Sequence, residues 1–299
     1  MGYGSYKASD WAKLKNSRGI SSNSNADSLF SNNQFQDKYN PRFIDLRESC
    51  DSADSPLSTP IILGFDVTGS MGYLAAEIAK NSLNKTITEL YNKQPVTNPH
   101  VMCAAFTSPE CEGALQVTQY EADIRVVEQL LELKVGFGWN RYSFDSLVWY
   151  FAAKHTKIDC FDKRGKKGFL FCIGDEVCGA SKNEDLVPAE LKKIFADQTK
   201  KSLGIRTILE MASQKYEVFH IVTETNGRSN YPSWQEFMPG RVALLEPDNI
   251  NCLSEVITSL LQIAKGETKE AVIRQWPKET ETILERALKD INPSLFTGS

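Results

Sequence analysis

Pro60-Ile-Ile-Leu-Gly-Phe-Asp66-Val-Thr68-Gly-Ser70-Met-Gly72 is the stretch on which the reading of this chain turns. Five of the six residues from Pro60 to Phe65 are apolar or proline, the pattern of a parallel strand buried on both faces. The run ends on an acid, and two hydroxyl residues follow at every second position before a helical pattern begins. In open α/β sheets, ligands sit in the crevice at the carboxyl ends of the strands. Asp66, Thr68 and Ser70 stand at that edge, each offering oxygen. Three hard oxygens on one tight loop suit a small hard cation such as Mg²⁺.

The pattern continues outward from this strand. Leu74, Ile78, Leu83, Ile87 and Leu90 recur at helical spacing up to Asn92. Pro99 to Thr107 reads as a second buried strand, and Ala114 to Gln119 as a short one after a glycine turn. Asp123 to Leu133 carries Ile124, Val127, Leu130 and Leu131 on one helical face. The loop from Gly136 to Tyr142 precedes a helix from Ser143 to Lys154, and Lys167 to Asp175 is another buried strand ending on an acid. Helices over 186–198 and 202–214, strands Val218–Thr223 and Arg241–Leu245, and a helix from Leu253 to Ala264 complete the series. Strands alternating with helices of this length predict βαβ units and a mainly parallel sheet flanked by helices.

Two flanking segments differ. Residues 1–58 are rich in Ser, Asn, Asp and Gly, with scattered aromatics at Trp11, Phe30, Phe35 and Phe43. They read as a polar arm that packs on the domain or on a partner. Arg47-Glu48-Ser49-Cys50-Asp51-Ser52 leads from it into the first strand, either as a solvated loop or as a segment laid across the site edge. Residues 267–299 read as a charged helical tail interrupted at Pro277. The domain proper spans 59–266.

Composition narrows the function. Net charge −4 and a pI near 5.6 argue against nucleic-acid binding, which leaves a basic footprint. No apolar run approaches the roughly 20 residues that span a bilayer. The N-terminal residues lack the basic and apolar regions of a secretory signal, and Tyr6 stands where a myristoylation motif needs Ser or Thr. Seven cysteines at irregular spacing, with no CxxC pair, argue against zinc or redox chemistry and point to a reducing cytoplasm. His100, His155 and His220 are dispersed and read as structural. Lys163 to Lys167 reads as a solvated turn.

Three loops then form a constellation: Asp66, Thr68 and Ser70 on the first, the stretch Gly136–Ser143 on the second, and Asp175 on the third. A helix N-cap is the plain reading of each acid or hydroxyl taken singly. Parallel strands would bring all three loops to one edge of the sheet, which favours a metal site. With these residues the chain resembles a von Willebrand factor A (vWA) domain carrying a metal-ion-dependent adhesion site. The first loop of that family reads DxSxS, here Asp66-x-Thr68-x-Ser70 with Met71-Gly72 after it, and its strand-end acid falls on Asp175. The resemblance covers about residues 58–266. It extends more loosely to intracellular bacterial and phage members, which carry a polar arm before the first strand.

The resemblance implies a Rossmann-like fold and a bound Mg²⁺ (or Mn²⁺ or Ca²⁺), with its last coordination position left for a carboxylate from a protein partner. One position departs from the family. The middle-loop threonine falls on Asn140, with Ser143 the nearest hydroxyl, so the implied metal set is Asp66, Thr68, Ser70, Asn140, Ser143 and Asp175. Trp139 and Tyr142 beside it are either partner anchors or packed back on the domain.

The expected function is therefore a non-enzymatic, metal-dependent protein-interaction module. By family analogy its partner is an AAA+ ATPase or a larger assembly, for which the chain is an adaptor or component. Two alternatives stand beside it. A Mg²⁺-dependent phosphohydrolase would use Asp66 as nucleophile, but such chemistry needs a second acid two residues later, where Thr68 sits. A structural assembly subunit with a degenerate metal site is the other. No GxxxxGK[ST] loop supports a nucleotide hydrolase.

Overall fold

The computed structural model describes residues 7–21, 24, 29–30, 34–71, 83–135, 142–182, 184–224 and 229–296. The arm contributes helix α1 (Ala8–Ser17) and a short strand β1 (Arg47–Ser49). The alternating series then runs β2 (Thr59–Asp66), α2 (Leu83–Lys93), β3 (Pro99–Phe106), β4 (Leu115–Val117), α3 (Arg125–Leu130) and α4 (Asp145–Lys154). It continues with β5 (Thr156–Ile158), α5 (Asp159–Arg164), β6 (Gly168–Gly174), α6 (Pro188–Phe195), α7 (Ile205–Lys215) and β7 (Tyr216–Thr223). Last come α8 (Tyr231–Phe237), β8 (Val242–Leu245), α9 (Leu253–Ala264), α10 (Lys269–Arg274) and α11 (Lys278–Ala287).

Six strands form the main sheet in the order β4-β3-β2-β6-β7-β8. Every neighbouring pair is parallel except β3 with β4, an antiparallel edge. Counted along the chain this is the doubly wound order 3-2-1-4-5-6, whose switch point lies between β2 and β6. The apolar runs explain the parallel strands. Ile61, Leu63 and Phe65 point to one face of the sheet and Ile62 to the other, and all four are buried. Helices α2, α3, α9, α10 and α11 cover the first face, and α4, α6, α7 and α8 the second.

The flanking segments belong to this core. Leu14, Ile20, Leu29 and Phe30 of the arm join the cluster on the first face, as do Val272, Leu284, Leu288, Ile291 and Phe296 near the other end. Pro277 separates α10 from α11, where its ring cannot continue a helix. Among the described residues no helix is long and apolar enough to cross a membrane.

One local expectation is corrected, and the exposed turn at 163–167 proves to carry ion pairs. The segment at 47–52 lies away from the site edge. Its strand β1 pairs in parallel with β5, Arg47 opposite Thr156, in a separate two-stranded sheet. Beyond it, the Asp51 carboxyl accepts from the backbone N–H of Ser58 (3.0 Å), just ahead of the first residue of β2 and so at the other end of that strand from Asp66. Residues Lys163 to Lys167 form the end of α5 and a left-handed turn at Gly165 (φ 64°), and they are tied into ion pairs. Lys163 pairs with Asp159 (2.7 Å), Arg164 with Asp51, and Lys167 with the buried Glu217 (3.4 Å). Burying Glu217 in the sheet requires such cations beside it.

Candidate metal site at the switch point

Asp66 is the last residue of β2 and is fully buried. Its Oδ1 accepts from the backbone N–H of Thr68 (2.8 Å), which bends the chain out of the strand. The Thr68 hydroxyl is also hydrogen-bonded to this carboxyl. Met71 N–H then donates to the Thr68 carbonyl (2.9 Å), starting the short 3₁₀ turn Gly69–Met71. Across the sheet edge, Ser143 donates from Oγ to Oδ2 of Asp66 (2.7 Å). Ser143 is itself buried, and the next residue donates its backbone N–H to the Thr107 carbonyl (3.2 Å), so the end of β3 fixes where this loop arrives.

The third element is the end of β6. Gly174 packs directly on Asp66: a Cβ there would sit 3.2 Å from Asp66 Cβ and 3.6 Å from Oδ2. The absence of a side chain lets β6 bring the following residue, Asp175, up to the site at 8% exposure. Burial pushes the Asp66 carboxyl up to about 7, and the like charge of Asp175 pushes the same way, against the hydrogen bonds from Thr68 and Ser143. The hydrogen bonds to Asp66 thus come from neutral donors, while a second acid lies near it.

The structure brings together Asp66, Thr68, Ser143 and Asp175 of the residues singled out in the sequence. Ser70 lies on the same turn, its backbone alone being described, and Asn140 and Trp139 lie outside the described residues. Tyr142 is 45% exposed beside the site. Among the described residues, no three or more His, Cys, Asp or Glu side chains are grouped to hold a metal. A cation at this edge would have to draw on hydroxyls and water as well as the two carboxyls. That donor set is all oxygen and matches a small hard ion.

Residues that sequence reasoning did not single out as site residues support this edge. Asn230 donates from Nδ2 to the Asp175 carbonyl (2.6 Å) and Trp234 from Nε1 to the Glu176 carbonyl (2.9 Å). Beneath Ser143, Asp145 meets His220. These contacts depend on segments 55 or more positions apart and leave no local sequence signal.

No family model matches the chain, and no curated protein matches it. Among solved structures it is similar to the pilus adhesin SpaC from Lactobacillus rhamnosus GG in an open conformation, with TM-score 0.46 and 9% identity over 69% of this chain and 30% of that one. A second form of the same adhesin gives TM-score 0.45 and 10% identity over 68% and 30%. A von Willebrand factor type A from Catenulispora acidiphila gives TM-score 0.39 and 12% identity, over 69% of this chain and 42% of that one. The chain thus spans well under half the length of these structures.

Proposed function

We propose that this chain is a vWA domain of the intracellular type that binds Mg²⁺ (or Mn²⁺ or Ca²⁺) and, through the metal, an Asp or Glu of a protein partner. The observation that carries this reading is the meeting of Asp66, Thr68, Ser143 and Asp175 at the switch point of the sheet. The metal would be held by Asp66, Thr68, Ser70, Ser143 and Asp175, with Asn140 in the middle loop. With the carboxyls of Asp66 and Asp175 acting mostly through water, the metal would keep positive charge that an incoming carboxylate would complete.

The reading is of a binding module in the cytoplasm, an adaptor or assembly component whose partner is an AAA+ ATPase or a larger complex. Two features support it over an enzyme. Thr68 occupies the place where aspartyl-phosphate chemistry needs a general acid, and Asp66 is fully buried. The seven cysteines form no disulfide with one another, which suits a reducing compartment.

Thermal unfolding with and without Mg²⁺ tests the metal. At about 100 times the dissociation constant, binding adds about 2.7 kcal/mol of stability, which Asp66→Ala abolishes. No shift in the wild type at millimolar Mg²⁺ overturns the reading. A pull-down with wild type and Asp66→Ala then looks for one partner lost with the metal. Turnover of a generic phosphomonoester that disappears in Asp66→Asn would show an enzyme instead.

A further inference from the structure

The geometry points to His220 as a positioning residue for this site: through Asp145 it holds the segment bearing Ser143, and through Trp234 it holds the loop bearing Asp175. The role rests on the metal-site reading above. His220 lies within β7 at 1% exposure and Asp145 opens α4 at 3%, so neither meets a ligand directly. His220 Nδ1 is 3.0 Å from Oδ1 of Asp145, and the imidazole donates there. The cluster around them is otherwise built from Leu147, Val148, Trp149, Cys172 and their apolar neighbours. His220 Nε2 is buried with no hydrogen-bond partner. Replacing a buried polar pair of this kind with apolar residues is often neutral or stabilising, so stability alone does not account for it.

Direction does account for it. Asp145 stands two residues after Ser143 and lies beside the Cys172 thiol of β6. Its bond to His220 ties it to β7, and the chain just before it delivers Ser143 Oγ to Asp66. On its other side the His220 ring stacks on Trp234, with centroids 3.5 Å apart and planes at 11°. Trp234 belongs to α8, which together with its N-cap residue Asn230 grips the loop after β6 at three points. Besides the Asn230 and Trp234 bonds already described, Ser233 Oγ accepts from the Cys178 backbone N–H (3.1 Å). One imidazole thus touches the supports of both loops, and its two contacts fix their separation. Outer groups that orient metal ligands typically cost about 10–100-fold in affinity when removed.

The test uses the full chain, Mg²⁺ as ligand, three variants and a fourth as packing control. His220→Phe keeps the stacking ring and removes the donor, His220→Asn keeps a donor near the Nδ1 position, and Trp234→Phe keeps the stack and removes the bond to Glu176. Mg²⁺ affinity is read by calorimetry, and amide exchange of the metal-free protein reads segments 142–146 and 175–178. His220→Phe is expected to lose about 10–100-fold in affinity and to speed exchange in both segments. His220→Asn should restore most of the affinity, and Trp234→Phe should loosen 175–178 alone. Phe237→Leu, which disturbs the stack on Trp149, is the packing control and should lower the melting temperature without changing affinity. Wild-type affinity in His220→Phe, or losses that merely follow melting temperature across all variants, overturns the proposal. Should the wild type bind no Mg²⁺, the metal reading falls by itself. Unchanged exchange of both segments in His220→Phe then overturns the positioning role separately.

Discussion

Ser143 donates its hydroxyl proton to Asp66 over 2.7 Å, joining two segments 77 positions apart. That bond ties the middle loop to the end of the first strand of the sheet. Ser143→Ala leaves a buried carboxyl short of a donor, at a cost of about 1–3 kcal/mol. Urea denaturation should show that loss, and Mg²⁺ titration of the same variant should show weakened binding.

Two glycines at opposite ends of β6 separate site effects from fold effects. A Cβ on Gly174 meets Asp66 Cβ at 3.2 Å, whereas one on Gly168 meets Pro60 Cγ at 2.6 Å and the Pro60 carbonyl at 2.9 Å. Gly168→Ala should destabilise the protein by about 1–3 kcal/mol through overpacking and leave Mg²⁺ affinity unchanged. Gly174→Ala should displace the Asp66 side chain and lower affinity with the smaller loss of stability. Equal affinity losses in the two variants would contradict the placement of the site.

His100 gives the chain a pH dependence of predictable sign. Burial pushes its imidazole down to about 4, and its Nδ1 sits 3.1 Å from Ser49 Oγ. The unfolded chain takes up this proton near pH 6.5, so it binds more protons than the folded state between those values. The stability contributed by a neutral His100 is therefore full above about pH 6.5 and falls by roughly 3 kcal/mol as the pH drops to about 4. His100→Asn should flatten that part of a stability curve measured by urea unfolding from pH 7 to pH 4.

Leu284 tests whether the charged helices near the end of the chain are structural. It is fully buried on α11 in the core shared with β2 and β3. Leu284→Ala should cost about 2–5 kcal/mol, the same range as Leu260→Ala in the middle of α9. A cost near zero would mean that α11 detaches from the sheet without consequence.

The parallel strands were legible because both their faces are buried: Ile61-Ile62-Leu63 and Phe169-Leu170-Phe171 read as unbroken apolar runs. Asp66 and Asp175 were legible as strand-end acids flanking the switch point. The three-residue strands β1 and β5 were not, since three residues carry no period to score. Leu14, Ile20 and Leu29 sit singly in polar sequence, so nothing local marks them as core. The pairing of Asp145 with His220 arises only when α4 packs across β7, bringing together positions 75 apart.

The Phe296 ring packs on Phe219 of β7, with centroids 5.2 Å apart, and the Arg241 guanidinium lies over the same ring, 5.0 Å from its centroid. Leu14 and Phe30, near the opposite end of the sequence, join the same cluster. On the ribosome, this hydrophobic layer cannot seal until Phe296 has emerged from the exit tunnel. Until the segments carrying Val272, Leu284 and Phe296 have been made, that face of the sheet is covered only in part, by α2, α3 and α9, which is a stage at which a nascent chain depends on a chaperone.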